Sequence, residues 1–370
     1  MLYVGLDVHW KKSNLCILNE QGRQIKNQQV AGGWNRMLEV LGQIQEPFSL
    51  CFEASCGYGH LYQCIARHPK AQRVLVGHPG QMRLIYKSKK KHDRIDAAKI
   101  AKLLYLDAVP QVYVPSADVR SWRGLIEWRV KLLHKRVATK NQIRALFKNA
   151  GLQTPRGLWT KKGAAWMQTQ RFTTAFEIVR RDMLLEELAD HNRRIKQITA
   201  ALNQEAKKHP AVALLRTIPG VGPRTAEAVV AYIDQPARFA SVRDAGVYFG
   251  LVPCQDASAD KNRLGHITRE GPASVRKLLI EAAWQGVNRC SAIRDHYQKI
   301  VGDHPDQRKI ALVATARWLV VVMLAMLKSG ETCRWKRDLI FNPRVRGNVP
   351  TFSPPVGDAL QAADASPTGR

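Results

Sequence analysis

The stretch "LYVGLDVHWKKSNLCILNEQGRQIKNQQV", residues 2–30, holds three short runs of β-forming residues, "LYVGLDV", "NLCILNE" and "RQIKNQQV", separated by turn-prone residues. They read as a three-stranded antiparallel start. One residue is out of place in such a strand. Asp7 sits in the otherwise apolar first run, and a carboxylate buried without a partner is costly, so it requires a cation or a hydrogen-bonding neighbour.

Beyond residue 30 the signals alternate. "WNRMLEVLGQIQ" has helical spacing, "FSLCFEAS" is an apolar strand, "GYGHLYQCIARH" a helix, "RVLVGHP" a strand and "IDAAKIAKLLY", residues 95–105, a helix. Three hairpin strands followed by helix and strand in turn is the order of an α/β RNase H-like domain, expected here over residues 1–110. Three more acids fall inside it. Glu53 lies near the end of the later strand, and Asp93 and Asp96 open a helix in "HDRIDAAK", three apart and on one helical face. Acids at a helix start also complement its dipole, which would explain that pair taken alone. An RNase H-like sheet would gather all four around one cleft, and such hard oxygen ligands suit Mg²⁺ completed by water and substrate phosphate. Two such ions about 3.5 to 4 Å apart can stabilise both the attacking and the leaving oxygen of a phosphoryl displacement.

The charge balance names the class of partner. Fifty-eight Lys and Arg stand against 30 Asp and Glu in 370 residues, a net charge of +28, which calls for a polyanion. Hydrophobic residues at 45% allow real cores, and the length suggests two or three domains. The seven cysteines form no CxxC pair and no zinc-type cluster, and that usage, with an N-terminus that lacks a signal-peptide pattern, fits a cytoplasmic protein. The apolar run at residues 310–327 carries Arg317 near its middle. An arginine at a bilayer centre costs about 2.5 to 3.5 kcal/mol, so a buried or partner-facing helix is expected there and no membrane partner.

Residues 111–208 read as a basic helical region. Arg136, Lys140, Arg144 and Lys148 recur every fourth residue along one helical face, either a solvated surface or a track for phosphates. Leu184, Leu188, His191, Ile195, Ile198 and Leu202 form a coiled-coil seam of a and d positions, which could pair two subunits or fold back on a neighbouring helix. Lys87, Lys89, Lys90 and Lys91 crowd in front of Asp93, where they would draw in a nucleic-acid backbone.

Residues 209–330 form a mainly α unit. "TIPGVGPRTAEAVVAY", residues 217–232, has the pattern of a helix-hairpin-helix: Gly220 and Gly222 would let backbone N–H groups approach a phosphate ahead of Arg224 and a helix. Further on, Ser258 lies in a small polar loop followed by Lys261, Arg263, Arg269 and Arg276. No nucleophile motif surrounds it, so spacing alone does not make it one. Residues 331–370, rich in Pro, Gly and small residues, are expected to be disordered.

These pieces occur in a familiar order: "GLDVH", "FEAS", "HDRIDAAKIAKLL", "IPGVGPRTA", "YFGLVP" and "KNRLGHIT" with "VRKLLIEAAW". The chain resembles, over nearly residues 1–330, the insertion-sequence transposases with a DEDD-type RuvC-like domain and a C-terminal serine domain, the bridge-RNA-guided or Piv/MooV-like recombinases. The resemblance implies that the four acids are Asp7, Glu53, Asp93 and Asp96, that they hold Mg²⁺, and that the nucleophile is Ser258. The family commonly has two serines and two glycines there, whereas this chain has Ala257, Ser258, Ala259 and Asp260. It further implies strand exchange through a phosphoserine ester, donor and target double-stranded DNA as substrates, a structured noncoding guide RNA as partner, and a homodimer or homotetramer. Arg263 or Arg276 is a natural candidate to steady the pentacovalent phosphate. Two alternatives differ in chemistry: a RuvC-like structure-specific nuclease that cuts by water attack, and a nucleic-acid-binding architectural protein whose acids are structural.

Overall fold

The structure, a computed structural model, describes residues 1–85, 93–258 and 261–333. The chain divides into two compact units, the first from Met1 to Arg120 and the second beginning at Ser121.

The first unit is built on the strands expected from its opening residues. β1 (Leu2–Asp7), β2 (Lys12–Leu18) and β3 (Gln24–Ala31) form an antiparallel meander, followed by α1 (Trp34–Gly42), β4 (Phe48–Glu53), α2 (Tyr58–Ala66), β5 (Ala71–Gly77), α3 (Pro79–Ile85) and α4 (Asp93–Tyr105). The sheet order is β3-β2-β1-β4-β5, with β4 parallel to both β1 and β5. This mixed sheet is consistent with the expected RNase H-like, RuvC-like fold. The two central strands, "LYVGLD" and "FSLCFE", are buried along nearly their whole length, as parallel strands covered on both faces require.

Strand alternation sorts the residues between the faces. Leu2, Val4, Leu6, Phe48, Leu50 and Phe52 pack with Met37, Leu41, Leu61 and Ile65 of α1 and α2. Cys51 and Leu75 pack instead with Ile100, Leu103 and Leu104 of α4, and Cys16 and Leu18 with Ala97 and Ala101. Gly5 is the seat of that helix: a Cβ there would lie 2.3 Å from both Ala101 N and Ala97 O. Only glycine lets α4 lie directly on β1.

The second unit is mostly helical: α5 (Ala117–Asn149, which starts in the first unit), α6 (Lys161–Thr169), α7 (Ala175–Lys207), α8 (Pro210–Leu215), α9 (Pro223–Ile233), α10 (Asp244–Tyr248), the hairpin β6 (Pro253–Ser258) and β7 (Lys261–Ile267), then α11 (Ala273–Arg289), α12 (Ser291–Val301) and α13 (Arg308–Ser329). The seam of α7 closes on the chain's own α5. Leu184 and Leu188 share a cluster with Ile143, Leu146 and Phe147, and Leu202 shares one with Trp122 and Ile126. That last cluster runs on through α8 to α13, so the boundary expected near residue 208 does not separate two cores. α13 is long and apolar enough to cross a membrane by length and composition, yet Ala316, Leu319, Val320 and Met323 are buried in the core of this unit. Half of its apolar window is buried there, and Arg317 is exposed. The tail expected over residues 331–370 lies, from residue 334 on, outside the described residues.

Candidate active site and nucleic-acid interface

Register brings the acids together. Gly5 of β1 faces Cys51 of β4 and Leu6 faces Phe52, so the next step along both strands sets Asp7 beside Glu53. Both belong to the face that α4 covers, two residues beyond Gly5 and Cys51 respectively. α4 runs antiparallel to β1 on that face: the Tyr3 and Tyr105 rings meet at 5.3 Å, and Gly5 meets Ala101 and Ala97. One further step levels Asp7 with the first turn of α4, where Asp93 and Asp96 stand. The Asp93 side chain lies outside the described residues, so its placement is that of the backbone. The Asp7 side chain is 18% exposed, with His9 Nε2 at 3.4 Å from Oδ2, and Asp96 pairs with Lys99 at 3.3 Å.

A fourth neighbour escaped the sequence reading. Asn14 of β2 faces Asp7 in register, is completely buried, and has no hydrogen-bond partner for either Oδ1 or Nδ2 among the described residues. A buried amide left unmatched costs about 1 to 3 kcal/mol, so the fold keeps it at a price. The only sequence signal is an Asn opening the apolar run "NLCIL".

Among the described residues no three His, Cys, Asp or Glu side chains converge into a preformed metal cage. The donor chemistry nonetheless fits Mg²⁺, which takes one or two carboxylates and fills its shell with waters and phosphate. Asp7 and Glu53 on strands about 4.8 Å apart, with the orphaned Asn14 alongside, supply such a set.

The basic positions divide. Lys87, Lys89, Lys90 and Lys91 lie outside the described residues. The stripe on α5 is no uniform track: Lys140 and Arg144 lie over the Trp159 ring at 4.6 and 5.3 Å, and burial with repulsion from Arg136 and Arg144 pulls the Lys140 ammonium pKa down. Arg136 turns into a cavity of about 260 Å³ that it shares with Arg129, Arg224 and Glu227. Lys148 is exposed.

The expected phosphate turn is in large part a packing device. Gly220, at φ +91°, would place a Cβ 2.4 Å from Gly286 N of α11, so it is glycine for that contact. Gly222, at the N-terminus of α9, is open. Arg224 does not face outward: it pairs with Glu227 at 3.0 Å and donates to Asn203. Arg276 likewise donates, through Nη1, to the carbonyls of Gly271 at 3.0 Å, of Glu270 and of Phe249, which makes it a clamp on the turn before α11. Arg263 is exposed on β7.

Ser258 is not in a loop but is the last residue of β6, paired with Lys261 at the end of the hairpin; the side chains of both lie outside the described residues. Glu227 is the other residue that sequence reasoning missed. It is 1% exposed, and burial lifts its carboxyl pKa to about 7 against the pull of Arg224 and Arg129. An acid inside the apolar helix "PRTAEAVVAYI" was its signal.

Comparison with known proteins finds two family models along the chain. Residues 4–151 match a DEDD-type IS110 transposase model described as "Transposase", and residues 212–298 match the "Transposase IS116/IS110/IS902 family". Among curated relatives, the chain is 26% identical to the putative transposase y4qE of Sinorhizobium fredii over 76% of this chain and 71% of that protein. It is 29% identical to the transposase for insertion sequence element IS1328 of Yersinia enterocolitica, over 62% and 68% of the two chains. It is 26% identical to the transposase for insertion sequence element IS1111A of Coxiella burnetii, over 76% of each. Two models of one family thus match in succession along a single chain, and the chain belongs to the IS110/IS116 transposases, enzymes of DNA transposition, with a DEDD-type domain at its N-terminal end.

Proposed function

We propose that this transposase is RNA-guided and exchanges DNA strands through a phosphoserine ester on Ser258, with the acids Asp7, Glu53, Asp93 and Asp96 as its Mg²⁺ site. The observation that supports the acid site is the pairing of Asp7 with Glu53 at adjacent strand ends, on the face where α4 begins. When bound, Mg²⁺ neutralises charge on the phosphate and lowers the barrier to displacement. The residues of the chain do the rest. The Ser258 oxygen bonds to phosphorus as the bond to the DNA 3′ oxygen breaks. The serine proton leaves to a nearby base, and the freed 3′ oxygen ends as a hydroxyl. In rejoining, a 3′-hydroxyl attacks the ester and returns Ser258 unchanged, so the phosphodiester bond energy is conserved.

Guidance by a structured RNA would put sequence choice in base pairing and leave the protein to read backbone and shape. That agrees with a +28 chain whose basic side chains lack a base-reading motif, and the exposed Lys148 and Arg263 remain as candidate phosphate contacts. A homodimer or homotetramer would bring donor and target DNA together. The experiment is a denaturing gel of the full chain incubated with labelled DNA and Mg²⁺. Wild type should yield a covalent protein–DNA adduct, and Ser258→Ala should yield none. Cleavage by Ser258→Ala without any adduct would establish the water-attacking nuclease instead. A discrete RNA should copurify, and its absence would sink the guidance half of the proposal.

A further inference from the structure

Three rings gather where the chain leaves β1 and β4, on the side of the sheet where α1 and α2 pack, with no role in the acid site on the opposite face. Trp10 is 75% exposed, an unusual setting for an indole unless it has a partner. It is held edge-on by Trp34 at 5.4 Å, and Trp34 lies nearly parallel to His60 at 6.4 Å and 23°. Together they line a cavity of about 580 Å³, within the range that small ligands fill. The backbone gives way to build it: Gly57, at φ +79°, would set a Cβ 2.3 Å from the Trp34 ring. Trp34 Nε1–H is buried and finds no acceptor among the described residues, a spare donor within the cluster.

The position of the cluster points to its occupant. Trp10 follows His9, whose ring touches Asp7, and Gly57 follows Glu53 by four residues, so both walls grow from the strand ends that carry the acids. The charged residues of its lining, Arg36 and Glu39, pair with each other at 2.6 Å, so the rings are what the wall offers a ligand. A phosphate held at Asp7 and Glu53 has a base attached to it, and an unpaired base offers a π-face that indoles stack upon regardless of sequence.

We propose that Trp10, Trp34 and His60 form a stacking platform for an unpaired base of the DNA strand whose phosphate lies at Asp7 and Glu53. This rests on the acid site proposed above. The platform would hold the strand open at the point of cleavage and set the phosphate in register with the carboxylates.

The test is binding by the full-length protein, in EDTA so that no cleavage intervenes, to a short single-stranded deoxyoligonucleotide carrying 2-aminopurine at successive positions. Wild type should quench one position, and Trp10→Ala should abolish that quenching and bind about tenfold more weakly, with Trp10→Phe recovering most of the loss. Because Trp10 is exposed, matching circular dichroism melts establish that the variant is folded. Unchanged binding and quenching in Trp10→Ala would overturn the platform. So would quenching by an oligoribonucleotide alone, or a Trp10→Ala variant whose only change is a smaller assembly by light scattering, which would make the patch a protein interface. Asp7→Asn and Glu53→Gln keep the platform separate from the acids. They should still quench the probe while losing Mg²⁺-dependent cleavage, whereas cleavage at the wild-type rate would refute the acid site and leave the stacking result standing.

Discussion

Replacing Glu227 by Gln tests the buried cluster of the second unit, because the amide keeps the acceptor that Arg224 uses and removes the ionisation. Burial lifts the Glu227 carboxyl from its ordinary 4.5 to about 7. Between those values the folded protein holds a proton that the unfolded chain has released, so its stabilising effect is complete below about 4.5 and is lost as pH rises through 7. The gap between the two values, at about 1.4 kcal/mol per unit, is worth roughly 3 kcal/mol. Most of it is lost between pH 5 and pH 8. Glu227→Gln carries no such term, so wild type should fall relative to the variant by about 2 to 3 kcal/mol over that interval. For a unit of this size that is roughly 5 to 10 °C in Tm. Paired thermal melts at pH 5, 6, 7 and 8 measure it, and other titrating groups cancel because both proteins contain them. A Tm difference that stays constant across the series would refute the argument that burial outweighs the two arginines.

Asn14→Val should stabilise the first unit by about 1 kcal/mol or more, since it removes an unmatched buried amide, while slowing DNA cleavage; a variant at once more stable and fully active would show that Asn14 does not serve the acid site. Gly220→Ala should lower the Tm of the second unit by several degrees, because both its φ of +91° and the approach to Gly286 exclude a Cβ. Gly222→Ala, which meets nothing, should cost about 1 kcal/mol or less, and equal effects from the two would contradict the packing assigned to Gly220. Asp7→Asn and Glu53→Gln should each abolish cleavage yet leave the melting curve near that of wild type, which is the pattern the architectural alternative cannot produce.

The sheet was legible because each of its signals was local. The runs in residues 2–30 needed only turn residues to become a meander, and the apolar "FSLCFE" marked a strand covered on both faces. The acids were legible as types out of place, and register then brought Asp7 to Glu53. The basic residues were less so. A guanidinium reads as surface in a sequence, but Arg224 and Arg276 are turned inward onto Glu227 and onto three carbonyls, partners that tertiary packing supplies from distant positions. Gly220 was read for the freedom glycine gives a turn, and the helix that crowds it starts more than fifty residues later. The same holds for Asn14 and the Trp10 cluster, whose neighbours come from separate strands and helices.

The seat of α4 on Gly5 has a consequence for evolution and for engineering. A helix resting on side chains can be raised or lowered by a methylene, and a lineage can drift by such steps. One resting on main chain has no such adjustment. The height of the α4 acids above Asp7 is therefore fixed by two backbones in contact, and substitutions elsewhere in the sheet have no side chain through which to retune it. Efforts to redirect such an enzyme to new DNA can vary the surfaces that hold nucleic acid while the spacing of its carboxylates stays constant.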